Sequence, residues 1–308
     1  MKILVMGTGG VGGFFGGKLA NAGYDVRFIA RGKHLEAMKK DGLKIISETG
    51  NFTVYPVNAS DKPQDFDKPD IILLCVKSYD IQSACNLLKP IIKESTAIIP
   101  FLNGMSHIEI MKQTLGKDNI LGGVAAISAL IKEPGTIIHN SPMQMLKFGE
   151  LTNNDHERID FLHKACTEAG INNLKSSSIY EDMWQKTALM CSLAGVNCLT
   201  RLPLGPCRNN AATRELLEDI VKEVILVAKA EGANLPKNQF EVTMKQLDSL
   251  PEKMKASTLP ALEKGEKLEA SALHGTITKL GMKHRISTPM NKVVYASLAP
   301  HENGSDSI

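Results

Sequence analysis

Gly7-Thr8-Gly9-Gly10-Val11-Gly12 stands directly behind the apolar run Ile3-Leu4-Val5-Met6 and directly ahead of a helix-like segment. Strand, glycine turn and helix in that order decide the reading of the amino-terminal half. In such a turn the first glycine permits the bend, the second lets the backbone approach a pyrophosphate, and the third lets the helix pack closely on the strand. The free N–H groups and positive dipole end of the helix then face the phosphates. Gly7, Thr8, Gly9, Gly10, Val11 and Gly12 are therefore candidate cofactor-binding residues. Glycine turns also arise for conformational reasons alone, and the flanking strand and helix are what favour a dinucleotide.

About twenty residues further on, a carboxylate at the end of the second strand usually receives the ribose 2′-hydroxyl of NAD. Here the strand Asp25 to Ala30 ends in Arg31, with Lys33 and His34 following. A guanidinium pairs with a 2′-phosphate in fork geometry, whereas a carboxylate would repel it, so NADP is the expected cofactor.

Outward from this stretch, Gly10 to Gly23 reads as a helix, Tyr24 to Ala30 as the second strand and His34 to Asp41 as a short helix. Leu43 to Ser47 and Phe52 to Val57 read as a strand pair, and the unbroken apolar run Ile71 to Val76 as a buried strand. The alternation predicts an α/β fold with a Rossmann-type, doubly wound parallel sheet. Ligands of such sheets lie outside the carboxyl ends of the strands, which makes Lys77 and Asn103 candidate cofactor contacts. The alternatives there are a lysine marking a strand's exit to solvent and an Asn-Gly turn. After Ile120 the pattern is strand-rich over Leu121 to Leu130, Thr136 to His139 and Met145 to Phe148, with breaks at Glu133-Pro134-Gly135 and Ser141-Pro142. A helix from Asp155, as N-cap, to Gly170 precedes a polar boundary, so the first domain is expected over 1–176. From Ile179 only helical signals follow: Ile179 to about Leu193, Ala212 to Glu231, Lys237 to Leu250, Leu268 to Leu280 and Pro289 to Ser297. They predict an all-helical carboxy-terminal domain over 177–308, with His301 to Ile308 as a frayed tail.

The 308 residues, 43% hydrophobic and 22% charged, suffice for two globular cores. A net charge of +3 without a basic run argues against nucleic acid. The six cysteines form no CxxC pair and read as core thiols of a reducing compartment. His156 and His163 fit a solvated helix face better than a metal site, and no metal is expected. No apolar stretch reaches membrane-spanning length and the first residues lack a signal-peptide pattern, so a cytoplasmic protein is expected.

Several features together resemble the ketopantoate reductase family, the 2-dehydropantoate 2-reductases of pantothenate and coenzyme A synthesis, over nearly the whole chain. They are the glycine turn, Val76-Lys77, Leu102-Asn103-Gly104-Met105, Trp184-Gln185-Lys186, and the Ser257 to Glu269 segment running into Ala272-Leu273-His274-Gly275. The resemblance implies that Gly7 to Gly12 bind the NADP pyrophosphate, that Arg31 meets the 2′-phosphate, and that Lys77 and Asn103 contact the nicotinamide half. It implies Lys186 as proton donor, Ser257 as a substrate-binding serine and Glu269 as a glutamate closing over the cofactor ribose. Hydride delivery to a ketone carbon leaves an alkoxide that a positioned acid must meet, and a lysine ammonium supplies proton and charge together. The expected reaction is NADPH-dependent reduction of 2-dehydropantoate to (R)-pantoate. Asn103 and Lys186 are expected to touch substrate as well.

The chain departs from the family pattern where better-known members carry substrate-holding asparagines, since Met190, Ala194 and Leu204 stand there. Asn197 and Arg201 are the nearest polar candidates to replace them, Arg201 for the carboxylate. A relative acting on another branched 2-oxo acid and a dinucleotide-binding sensor without turnover are the competing readings. A 2-oxo acid and, at most, a second copy of the chain are the expected partners.

Overall fold

The structure, a computed structural model, describes residues 1–151 and 157–305. The chain forms two compact units, Met1–Leu102 with His107–Ile179, and Asn103–Ser106 with Tyr180–Ile308.

The first unit contains β1 (Ile3–Met6), α1 (Gly10–Asn21), β2 (Val26–Ile29), α2 (Gly32–Asp41), β3 (Leu43–Ser47), β4 (Phe52–Val54) and β5 (Ala59–Ser60). It continues through β6 (Ile71–Leu74), α3 (Ile81–Leu88), β7 (Ala97–Pro100), α4 (Ser106–Leu115), β8 (Leu121–Glu133), β9 (Thr136–Glu150), α5 (Glu157–Glu168) and β10 (Asn172–Lys175). One sheet runs β5-β2-β1-β6-β7, with every pairing parallel. β1 and β6 are buried on both faces, the physical reason their sequences are apolar without alternation. This is the expected Rossmann-type sheet.

β3 joins a second sheet, β10-β9-β3-β4, in which it pairs parallel to β9, while β8 pairs antiparallel to β9. The expected break at Ser141-Pro142 does not end a strand, because β9 runs on to Glu150. Its register against β8 shifts where His139 faces Ala129 and Gln144 faces Ile127, so Pro142 sits in an irregularity that needs no ladder N–H from it. α1 lies between the sheets: Phe14 and Phe15 are buried, and Gly13 and Gly16 abut Ile137 and Phe28. Asp155 and His156 lie outside the described residues. Gly170 takes a φ of +64° after α5, and His163 Nδ1 meets Asn173 Oδ1 at 2.6 Å.

The second unit is helical: α6 (Ile179–Thr200), α7 (Leu204–Asn209), α8 (Ala211–Ala230), α9 (Gln239–Ser249), α10 (Thr258–Glu263), α11 (Thr276–His284) and α12 (Pro289–Leu298), with a π-helical turn at Ser271–Gly275. α6 extends past the expected Leu193 because residues 191–198 are all buried and Gly195 lies against Ile220, His274 and Val294, where a side chain has no room. α7 and α10 went unread because each spans six residues and carries a proline. The expected frayed tail is docked as far as Ser305. Glu302 accepts from the Leu268 N–H through its carbonyl and from the Ser271 N–H through its carboxylate, and Ser305 donates to the Gly265 carbonyl. Among the described residues no helix is long and apolar enough to cross a membrane.

Candidate active site, in two parts

In the first unit the glycine turn, Arg31 and Lys77 gather at the carboxyl edge of the parallel sheet. Met6 pairs with Ile29 on one side and Leu74 on the other, so the residues following all three strands emerge together. Gly7 has a φ of +99°, and a Cβ there would stand 2.9 Å from the Cys75 carbonyl oxygen. At Gly12 a Cβ would meet the Gly7 carbonyl at 2.2 Å, the close helix-to-strand contact that the third glycine of such a turn allows. Gly9 is different: it is extended, and nothing lies within 4 Å of where its Cβ would be. That open approach fits a pyrophosphate. No side chain caps α1, so its first N–H groups are available to an anion.

Thr8 plays another part. Its N–H donates to the Ile29 carbonyl at 3.0 Å and its hydroxyl to the same oxygen at 2.9 Å, which ties the turn to the end of β2. Gly10 is glycine because β8 passes there, a Cβ falling 2.1 Å from the Ala129 carbonyl. Val11 is half-buried behind it. Arg31 is exposed immediately before α2, whose first turn holds no acid. Among the described residues no carboxylate pairs with Arg31. His34 is occupied, its Nδ1 accepting from the Gly135 N–H at 3.0 Å. Lys77 is exposed where β6 ends. These residues suit a dinucleotide pyrophosphate.

In the second unit Asn103 is half-buried and begins a turn in which Gly104 has a φ of +81°. A Cβ on Gly104 would stand 2.6 Å from the Ala272 carbonyl, so the turn lies directly against the π-helical turn that follows Glu269. Lys186 lies on α6 two residues after the buried Trp184. Part of its side chain stays accessible while its ammonium is surrounded by protein, and that desolvation pushes its pKa down to about 8, opposed by the charge of Glu269. Lys186 and Glu269 thus interact, and the Asn103-Gly104 turn lies against the π-helical turn that follows Glu269.

Ser257 is exposed just before α10, and Arg201 is exposed just after α6 with a φ of 61°. Ala194 and Leu204 are fully buried, so neither forms an accessible wall, and of the three departures only Met190 stays partly accessible. Asn197, expected as a substitute substrate contact, is also fully buried and bound at both ends of its amide.

Sequence reasoning missed a buried chain of polar groups behind the π-helical turn. The Glu223 carboxylate accepts from the N–H groups of Met290 and Asn291 at 2.8 and 2.9 Å and from Asn291 Nδ2 at 2.7 Å. Asn291 Oδ1 then faces His274 Nδ1 at 2.8 Å, so that nitrogen carries the proton. Burial drives the His274 pKa down to about 4, against the effect of its bond to Asn291. The spacing of these residues along the chain leaves no local pattern.

Residues 3–153 match the family model for ketopantoate reductase PanE/ApbA, and residues 178–302 match the model for its C-terminal part. The chain belongs to the ketopantoate reductase family. It is 33% identical over 304 residues to the uncharacterized oxidoreductase YkpB of Bacillus subtilis, covering 98% of this chain and 99% of that one. The crystal structure of 2-dehydropantoate 2-reductase from Geobacter metallireducens superposes with a TM-score of 0.90 at 26% identity, over 97% of this chain and 99% of that one. A ternary structure of D-mandelate dehydrogenase with NADH and anilino(oxo)acetate shares the fold, with a TM-score of 0.88 at 20% identity over 98% of each chain.

Proposed function

We propose that the protein is an NADPH-dependent reductase of a 2-oxo acid, with 2-dehydropantoate as substrate and (R)-pantoate, for pantothenate and coenzyme A synthesis, as product. NADPH, when bound, supplies the hydride. The glycine turn and the start of α1 hold its pyrophosphate, Arg31 its 2′-phosphate, and Lys77, Asn103 and Glu269 the nicotinamide half. Lys186 gives its proton to the carbonyl oxygen as negative charge grows there, and its ammonium stabilises that charge before the proton moves. Arg201 takes the substrate carboxylate, and Ser257 also binds the substrate.

The observation that supports this reading most is the Lys186 environment. An ammonium whose pKa is brought down to about 8 gives up its proton far more readily than an ordinary surface lysine, while the Glu269 charge opposes that fall. A non-catalytic sensor has no use for such an acid. The test is loss of NADPH absorbance on adding a panel of 2-oxo acids, and NADPH binding without turnover of any of them would favour the sensor.

A second reading is favoured by one feature. Met190, which stays partly accessible, is apolar where better-known members of the family carry a substrate-holding asparagine, so a branched 2-oxo acid without the hydroxyl is the alternative substrate. The same panel separates the two.

A further inference from the structure

Asn197 is fully buried near the end of α6, and its amide is bound at both ends to segments outside that helix. Nδ2 donates to the Leu202 carbonyl at 2.8 Å, and Oδ1 accepts from the Ala256 N–H at 2.8 Å. Each bond ends one residue from a side chain assigned above to the substrate, Leu202 following Arg201 and Ala256 preceding Ser257. Two backbone bonds run beside them, from the Leu204 N–H to the Met254 carbonyl at 2.9 Å and from the Gly205 N–H to the Glu252 carbonyl at 2.8 Å.

Arg201 has a φ of 61°, in the left-handed region that residues with a Cβ rarely enter. Such a conformation persists where surrounding bonds impose it, and it gathers at functional sites. Here the Arg201 N–H donates to the Asn197 carbonyl at 2.8 Å while the Asn197 amide holds the next carbonyl, so a single residue grips both sides of the strained position. A helix that merely had to stop would take glycine there at no steric cost. This chain instead keeps an exposed arginine that, among the described residues, has no carboxylate partner.

We infer that Asn197 is a positioning residue for substrate recognition: it holds the Arg201 guanidinium and the Ser257 hydroxyl in the spacing that receives the two oxygens of a carboxylate. The inference rests on the proposed assignment of those two side chains to the substrate. A guanidinium binds a carboxylate strongly only when the fork is aligned, and displacement by about an ångström is enough to cost affinity.

The experiment is steady-state kinetics with saturating NADPH and 2-dehydropantoate, or 3-methyl-2-oxobutanoate should that be the better substrate, on Arg201→Ala, Ser257→Ala and Asn197→Leu. Asn197→Leu is expected to raise KM by about tenfold to a hundredfold with kcat within about threefold and NADPH affinity unchanged. Added to the Arg201→Ala, Ser257→Ala double variant, it is expected to raise KM no further, which a general loss of structure would not reproduce. An unchanged KM in Asn197→Leu, or an equal further rise in the double-variant background, overturns the inference. Should Asn197→Leu fail to fold, Asn197→Asp keeps the acceptor for Ala256 and loses the amide donor to Leu202. Its rise in KM should then vanish in an Arg201→Ala background and survive in a Ser257→Ala background, and a wild-type KM overturns the inference. An unchanged KM in both Arg201→Ala and Ser257→Ala removes the premise and the inference together, whereas a rise in those two alone removes only the inference.

Discussion

At Lys186 two influences act in opposite directions on one proton: desolvation releases it, and the Glu269 charge retains it, leaving a pKa of about 8. Because the acid form is the one that reacts, kcat/KM should be level at lower pH and fall as pH rises through about 8, well below an ordinary lysine's range near 10.4. Glu269→Gln removes the retaining charge, so the same limb should move to lower pH. A limb that stays in place in that variant would separate the two residues. Lys186→Ala should lower turnover on the order of a hundred- to ten-thousandfold while NADPH binding is nearly kept, and near-normal turnover would return Lys186 to the ranks of surface lysines. At the other end of the cofactor, Arg31→Glu should erode the preference for NADPH over NADH by about 1–3 kcal/mol, and equal use of both cofactors by the unaltered protein would contradict the role given to Arg31. The identity of Lys186 was legible only through the motif around it, since the chain has 36 Lys+Arg. Its lowered proton affinity was not legible, because burial in the folded chain produces it, against the opposing charge of a glutamate distant in sequence.

The glycine turn and α1 allow cofactor binding to be separated from folding. A Cβ on Gly9 meets nothing within 4 Å and the backbone there is extended, whereas a Cβ on Gly12 meets the Gly7 carbonyl at 2.2 Å. Gly9→Ala should therefore unfold within about 0.5 kcal/mol of the parent and yet bind NADPH more weakly, as the methyl group occupies the phosphate approach. Gly12→Ala should lose about 1–3 kcal/mol of stability from overpacking. Denaturant unfolding and NADPH titration check both, and undiminished NADPH affinity in Gly9→Ala would mean the pyrophosphate lies elsewhere. The assignment of separate jobs to these glycines came from sequence; that Gly10 accommodates β8 and that Thr8 locks the turn to β2 did not, since both depend on strands paired from elsewhere. Behind the π-helical turn, His274 titrates near 6.5 when unfolded and about 4 when folded. Between those values the unfolded chain binds a proton that the folded chain refuses, so stability is fully present above 6.5 and falls as pH drops toward 4, by up to about 3 kcal/mol. Urea unfolding between pH 7 and 4 should show this slope and His274→Gln should flatten it; an equal slope in the variant would assign the acid sensitivity to other groups.

Across the whole molecule, hydrophobic periodicity and glycine punctuation made both architectures readable, a parallel sheet built from unbroken apolar strands and a run of amphipathic helices. What escaped the reading depends on partners distant in the chain: the second sheet that claims β3, the strand that continues past Pro142, and the tail that Glu302 and Ser305 fasten to the loop and turn around Gly265 and Ser271. The substrate positions show the same limit. Met190, Ala194 and Leu204 stand out in sequence, yet two of them are buried, and the polar residue beside them is tied into the backbone. With no asparagine at those positions to hold a hydroxyl, the ratio of kcat/KM between 2-dehydropantoate and its deoxy analogue should be about a hundredfold or less, and a ten-thousandfold preference would reveal an unassigned hydroxyl-binding group. The central claim, that this chain transfers hydride from NADPH to a 2-oxo acid with Lys186 as the acid, is tested most directly by NADPH absorbance with 2-dehydropantoate and its deoxy analogue in the parent protein and in Lys186→Ala. The account predicts oxidation of NADPH in step with formation of the 2-hydroxy acid in the parent and its near loss in the variant. NADPH that binds but is not consumed with either acid, or equal consumption by the two proteins, would contradict it.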